Sequence, residues 1–147
     1  MDKLDQRIIV ELQRDGRQTN TDLAHKLGVS EATVRRRIHR LLADEIIKVT
    51  AVPDLAKVGF NTVALIIIQA NLQHLDEVTA ALAQHPSVHY AAQTAGRFDI
   101  IIWGLFHSTE ELANFVKKDL AAIPGIERTE TLINLDIKKR TLGWIAP

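Results

Sequence analysis

Leu23-Ala24-His25-Lys26-Leu27-Gly28-Val29-Ser30-Glu31-Ala32-Thr33-Val34-Arg35-Arg36-Arg37-Ile38-His39-Arg40-Leu41-Leu42 decides the fold of this chain. It reads as a short helix, a glycine turn, a serine cap and a second helix rich in arginine. Ala24, Gly28 and Val34 stand at i, i+4 and i+10. A small residue lets two helices cross closely, and glycine supplies the left-handed turn that other residues resist. A β-branched residue then locks the second helix onto the core. This is the helix-turn-helix pattern, whose second helix enters the major groove. At about 100° per residue, Val34, Ile38, Leu41 and Leu42 fall within one third of the circle. Arg36 and Arg40 fall opposite, with Ala32 and Thr33 near them, while Arg35, Arg37 and His39 flank. Ser30 to Thr33 therefore leads with short side chains. Arg36 and Arg40 are predicted to face outward as readers of bases or phosphates. Arg35, Arg37 and His39 are predicted to make backbone or structural contacts. The plain alternative is a solvated basic face on an ordinary bundle.

The flanks extend the pattern. Leu4, Ile8, Ile9 and Leu12 recur at helical spacing and predict a helix over about Asp2 to Arg14, with Gly16 as its stop. Asp5 lies in its first turn, where an acid suits the helix dipole. Thr19-x-x-Asp22 offers a weak capping box to the helix before Gly28. Ser30 caps the arginine helix, which runs to about Asp44. Ile46 to Val52, carrying Lys48, is short and β-branched and predicts a small strand or wing. The DNA-binding unit is thus residues 1–52. Pro53 to Asn61 reads as a linker.

Residues 62–147 follow a different rhythm. Val63 to Ile68 is an unbroken apolar run, predicted as a strand buried on both faces. Leu75, Val78, Ala81 and Leu82 follow helical spacing. Val88 to Thr94 and Ile100 to Phe106 read as strands joined by a turn at Gly96-Arg97-Phe98-Asp99. Ser108-x-x-Glu111 is a capping box opening a helix with Leu112, Phe115, Val116 and Leu120 on its apolar face. Ile126 to Ile137 reads as the last strand. The half repeats internally: Val78, Leu82, Pro86 and Val88 recur 38 positions later as Val116, Leu120, Pro124 and Ile126. Two strand–helix–strand units in series predict a ferredoxin-like β-α-β-β-α-β plait with right-handed crossovers. The fold class is α+β: a winged helix-turn-helix followed by this plait. Its helix-free sheet face is too apolar for a monomer and predicts dimerisation through the sheet or its edge.

Composition sets outer bounds. The chain has 147 residues, no cysteine and formal net charge zero. Lack of cysteine excludes disulfides and thiol catalysis and suits a reducing cytosol. No apolar run is long enough for a bilayer, and the N-terminus has no signal region, so the expected location is cytoplasmic, without a membrane partner. Zero net charge speaks against nucleic acid at first. Yet residues 1–52 hold ten Lys/Arg against eight Asp/Glu, and four of the ten lie within positions 35–40. Local field governs approach to DNA more than total charge does.

The residues Leu4-Asp5, Asp15-Gly16-Arg17, Leu23-Ala24, Leu27-Gly28-Val29-Ser30 and Arg36-Arg37-Ile38, with Gly96-Arg97-Phe98-Asp99, Pro124-Gly125-Ile126 and Thr129-Glu130-Thr131, resemble the Lrp/AsnC (feast/famine) transcription regulators. The resemblance covers nearly the whole chain in order. It implies a sequence-specific regulator of double-stranded DNA, not an enzyme, with no cofactor, bound through Ser30, Ala32, Thr33, Arg35, Arg36, Arg37, His39, Arg40 and Lys48. It also implies homodimers assembling into octamers or similar rings. The expected effector is a small molecule, an amino acid, bound near Gly96, Arg97, Phe98, Asp99, Thr129 and Thr131. Asp99 suits a ligand ammonium, and glycine permits close approach. A plain hairpin turn is the alternative reading of Gly96–Asp99. Two departures stand out. Glu45 replaces the family's usual glycine after the arginine helix, at a cost of roughly 1 kcal/mol if the backbone is left-handed there. Phe98 replaces a commoner tyrosine, removing a hydroxyl.

Two other classes compete. Some relatives of this architecture resemble sirohaem decarboxylases, which use histidines in the plait half, and His74, His85, His89 and His107 are present. Pro86 lies between His85 and His89 and breaks the helix that a helical metal pair needs. The other is an interaction protein without DNA binding, against which Arg36 and Arg40 argue.

Overall fold

The computed structural model describes residues 1–139 of the chain. It forms two compact units, one built on Met1–Val52 and one on Pro53–Lys138. The first holds α1 (Lys3–Arg14), α2 (Asn20–Leu27) and α3 (Glu31–Ala43). Ile8, Leu23, Leu27, Val34 and Leu41 bury their side chains together, with Leu4, Leu12 and Ile38 around them. Each such aliphatic side chain contributes about 1.5–3 kcal/mol on full burial. That is what holds three short helices that would be marginal alone.

Local chemistry sets the helix ends. Thr19 and Asp22 form a complete reciprocal capping box on α2. Gly28 ends α2 in the left-handed conformation, φ 70°, as the turn requires. Ser30 Oγ accepts the Thr33 N–H at 3.2 Å and caps α3. Gly16 does not stop α1 as predicted. The C-cap is Asp15 in extended backbone, and the amide of Gln18 donates to the carbonyls of Glu11 and Asp15 at 2.7 and 3.1 Å. With its last carbonyls so met, α1 needs no left-handed glycine.

α3 ends differently. The Ile46 N–H donates to Leu41 O at 2.9 Å and the Glu45 N–H to Leu42 O at 3.2 Å. This is a Schellman closure, and it needs a left-handed residue at Glu45, where φ is 53°. A side chain pays for that conformation and glycine does not. Glu45→Gly is therefore expected to stabilise the helical unit by about 1 kcal/mol, read as a raised urea midpoint at unchanged m-value. Beyond it, Ile46–Val52 forms no strand, against the expected wing. A strand needs a neighbour for its N–H and C=O groups, and no described segment pairs with it. Val49 and Val52 are exposed, while Ile47 packs on the helical core.

The second unit is a four-stranded antiparallel sheet: β1 (Thr62–Ala70), β2 (Val88–Gln93), β3 (Ile100–Phe106) and β4 (Ile126–Ile133), in the order β2-β3-β1-β4. Two helical segments connect the strands. α4 spans Leu75–Gln84. α5 spans Thr109–Asn114 and continues as a π-helical stretch over Phe115–Leu120, which no sequence signal announces. One core joins Ala64, Ile66, Ile68, Ile100, Ile102 and Phe106 from the strands to Val78, Leu82, Leu112, Phe115 and Leu120 from the helices. Both helices thus cover one sheet face. The 38-residue repeat is visible in this packing: Val78 and Leu82 recur as Val116 and Leu120 against the same core.

β1 is not buried on both faces. Ala64, Ile66 and Ile68 are fully buried, but Val63, Leu65 and Ile67 are only half-buried, because the helices cover one side. On the other side Tyr90, Trp103 and Leu132 are about half exposed, and the Tyr90 and Trp103 rings lie 5.9 Å apart. The last strand ends at Ile133, not Ile137. Asn134 N still donates to Val63 O, and the register leaves only Thr62 of β1, opposite Leu135, so Ile137 falls beyond the start of β1. Residues 53–61, read as the linker, hold a turn over positions 55–59 and belong to the second unit, where Phe60 stacks on His107 at 4.4 Å and Gly59 O bonds His107 Nδ1 at 3.0 Å. Ser108 caps α5, yet Glu111 Oε2 accepts from His107 N at 2.7 Å instead of closing the box on Ser108. The predicted plait also ran to residue 147, and its residues 140–147 lie outside the described ones.

Candidate functional site

α3 presents its arginines unequally. Asp2 is the N-cap of α1, its Oδ1 accepting from Leu4 N and Asp5 N at 3.0 Å each. Asp5 answers by accepting from Asp2 N at 2.9 Å. Asp5 is completely buried, the one buried acid among the described residues. Arg37 donates through Nη1 to Asp2 Oδ2 and to Asp5 Oδ1, the latter at 3.1 Å. Arg40 donates through Nη2 to Asp5 Oδ2 at 2.6 Å. Both oxygens of the buried carboxylate are therefore satisfied, two of their three bonds by guanidinium groups of α3.

Arg37, expected to make DNA-backbone or structural contacts, is held by the two acids at the N-terminus of α1. Arg40, expected to face outward beside Arg36, is exposed and also donates to Asp5 of α1. A helical projection ranks residues by angle alone, and a long side chain one turn from Arg37 reaches the same carboxylate. Arg36 has no hydrogen-bond or ion-pair partner among the described residues and is exposed. Arg35 stands 3.6 Å from Glu31, both exposed. Ala32, His39 and Lys48 are exposed, and Thr33 is half-buried with its hydroxyl 2.9 Å from that of Ser30. The exposed surface of α3 is short at its N-terminal end and cationic in its middle.

The acids feel this environment. Burial raises the Asp5 pKa, but the Asp2 N–H and the guanidiniums of Arg37 and Arg40 outweigh it and lower the value overall. The Asp2 carboxyl, bonded first by the Asp5 N–H and then by Arg37, is held down at about 2. Depressed folded-state values contribute stability that is complete above the unfolded carboxylate range, near 4. It is lost as pH falls through the folded values. Stability of the helical unit is expected to fall between about pH 4 and pH 2. Asp2→Asn keeps a good N-cap and is expected to flatten that acid limb, measured by urea unfolding across the pH series.

In the second unit five of the six predicted effector residues, Gly96–Asp99 and Thr129, lie toward one end of the sheet. Gly96–Asp99 form the β2–β3 hairpin, closed by Thr94 N to Asp99 O at 2.8 Å and Thr94 Oγ1 to Phe98 O at 2.7 Å. Asp99 Oδ2 accepts from Ala70 N at 2.9 Å, and Asp99 N donates to Ile68 O. The carboxylate thus pins the hairpin to the end of β1 and keeps Oδ1 without a partner among the described residues. The Arg97 guanidinium lies 5.5 Å from the centre of the Phe98 ring. Thr129 pairs with Ile68 and Thr131 with Ile66, so both lie on the helix-covered face and are half-buried. Asp99 and Thr129 flank β1 from opposite sides, about 10 Å apart at two strand spacings. The structure brings the hairpin and Thr129 to one sheet end, with Thr131 further along β4.

The four plait histidines do not converge. His74 meets Glu77, His85 lies 3.6 Å from Asp119, His107 meets Gly59, and His89 sits edge-on to Phe60. Among the described residues no three His, Cys, Asp or Glu stand together as a metal site, and no helix is long and apolar enough to cross a membrane.

Comparison with known proteins matches each unit. Residues 1–42 match the AsnC-type helix-turn-helix domain and residues 63–144 the Lrp/AsnC ligand binding domain. The chain is 32% identical over 142 residues to the HTH-type transcriptional regulator FL11 of Pyrococcus horikoshii, covering 96% of this chain and 93% of that one. It is 36% identical over 140 residues to an uncharacterized HTH-type transcriptional regulator of Pyrococcus furiosus, covering 95% of each. The solved structure of Escherichia coli AsnC is similar at a TM-score of 0.88 and 26% identity, over 97% of both chains. A transcriptional regulator of Neisseria meningitidis, solved as its L-Met complex, is similar in fold at a TM-score of 0.89 and 23% identity, over 96% of this chain and 94% of that one.

Proposed function

Because the chain belongs to the Lrp/AsnC family of transcriptional regulators, we propose that it reads specific DNA sites through α3 and answers to an amino acid bound in its plait unit. Arg36 is the principal base reader, with Ser30, Ala32, Thr33, Arg35, His39 and Lys48 beside it. The observation that carries this reading is the exposed Arg36, without a partner among the described residues, on a capped helix whose opposite face is locked into a core. An unengaged guanidinium matches the O6 and N7 acceptors of guanine. The half-exposed apolar sheet face around Trp103, Tyr90 and Leu132 supports a homodimer that assembles further, to an octamer or a similar ring. A dimer carries two copies of α3 and suits a palindromic site in the cytoplasm's DNA.

The effector half of the proposal rests on Asp99. Its Oδ1 has no partner among the described residues, and its hairpin shares a sheet end with Thr129. A free carboxylate oxygen attracts an α-ammonium group. The L-Met complex of the Neisseria protein makes an apolar amino acid the first ligand to try. Isothermal calorimetry against the twenty amino acids is expected to give a saturable heat with at least one, lost in Asp99→Ala. Heats with none of them sink the amino-acid reading and leave DNA binding untouched.

A further inference from the structure

The four arginines of α3 do not carry four free charges. Asp2 and Asp5 come from α1, more than thirty residues earlier, and engage Arg37 and Arg40. Arg37 keeps only 22% of its side chain exposed and Arg40 47%. A guanidinium that shares its N–H groups with a carboxylate offers a phosphate little net attraction. A phosphate approaching it also meets the negative charge behind it.

Stability alone does not account for the arrangement. A buried ion pair usually does no better than a well-packed apolar group of the same volume, because desolvation offsets the attraction. The α1 cap does not need Asp2 to be charged either, since asparagine and serine cap equally well. The helices are already packed through Ile8, Val34 and Leu41. What the acids do alter is the balance between the two modes of DNA binding. Sequence-independent binding is almost wholly electrostatic, whereas discrimination comes from base contacts.

We propose that Asp2 and Asp5 are specificity-determining positioning residues: by holding Arg37 and Arg40 in carboxylate pairs, they withdraw two cations from indiscriminate phosphate attraction and fix α3 so that Arg36 reads the bases. The proposal rests on α3 being the DNA reader. Its signature is unusual for a loss of contacts. Removing an acid makes the protein bind unrelated DNA more tightly.

The test uses the full chain. The unaltered protein first enriches a preferred duplex from a random-sequence pool. Affinities for that duplex and a scrambled one are then measured by fluorescence anisotropy from about 50 to 200 mM salt. Asp2→Asn is expected to bind the scrambled duplex several-fold tighter at low salt. Its salt slope is expected to steepen by about 0.9 for each phosphate newly contacted, and its preference for the enriched duplex to fall at least about threefold. Asp5→Asn is expected to shift the same way, after thermal melting shows that it folds. Asp2→Asn retains its cap and decides the question even if Asp5→Asn does not fold. An unchanged slope and preference in folded Asp2→Asn overturns this proposal alone. Absence of salt-sensitive DNA binding by the unaltered protein overturns the DNA-reading function and this proposal with it.

Discussion

Arg36→Ala is expected to weaken operator binding by about 5- to 150-fold per half-site, the equivalent of roughly 1–3 kcal/mol for one good base reader. Binding to unrelated DNA should weaken less, because one lost cation removes only its share of the counterion term. The discrimination between sites therefore collapses faster than affinity does. The expectation follows from Arg36 being exposed and without a partner among the described residues, in contrast to Arg37 and Arg40 on the same helix. Electrophoretic shifts with genomic fragments at fixed salt, repeated with scrambled competitor, read both quantities. Equal loss on specific and scrambled DNA would reduce Arg36 to a phosphate contact.

Phe106→Ala is expected to destabilise the plait by about 3–5 kcal/mol, a large part of the roughly 5–15 kcal/mol available to a domain. Phe106 is fully buried and heads the large side chains of the core. Its ring lies over Gly104 on the same strand and 5.3 Å from that of Phe115. A Cβ placed on Gly104 would fall 2.5 Å from Phe106 Cε2, so the glycine in the middle of β3 is there to admit the ring. Gly104→Ala alone should cost about 1–3 kcal/mol through overpacking, and clearly less in a Phe106→Ala background, where the clash is gone. Urea unfolding followed by circular dichroism, arranged as a double-mutant cycle, measures that coupling. Additive costs would mean that the ring and the glycine do not share the site.

Much of this was legible along the chain because it is encoded between near neighbours. Ser30, Gly28 and the Thr19–Asp22 pair act over one to four residues, and each forms the cap or turn its type favours. The apolar periods of α1, α3, α4 and β3 placed those elements closely. The 38-residue repeat gave the plait its order. The left-handed backbone at Glu45 was expected only through the resemblance to the Lrp/AsnC regulators, which usually carry glycine there.

Other features required contacts that periodicity does not encode. Leu135 and Ile137 look like strand residues, yet β4 ends at Ile133; in its register Leu135 falls opposite Thr62, the first residue of β1, and Ile137 falls beyond it. Which sheet face is covered depends on where two helices dock, and an apolar run such as Val63–Ile68 reads alike whether one face or both are covered. The candidate effector residues share a motif order, but only the register Ile68–Thr129 and the bond from Ala70 to Asp99 bring the hairpin and Thr129 to one end of the sheet.

The arginine helix divides the two kinds of information most sharply. By itself the sequence determined that α3 exists, that Val34, Ile38 and Leu41 face its core and that four arginines lie outside that stripe, because 3.6-residue geometry is local; Leu42, predicted on the same stripe, is exposed. The tertiary structure alone decided which of those arginines are free. Asp5 meets Arg37 and Arg40 across 32 and 35 residues of chain. The pairing exists because packing brings the α1 N-terminus against α3, where a buried carboxylate must find cationic partners.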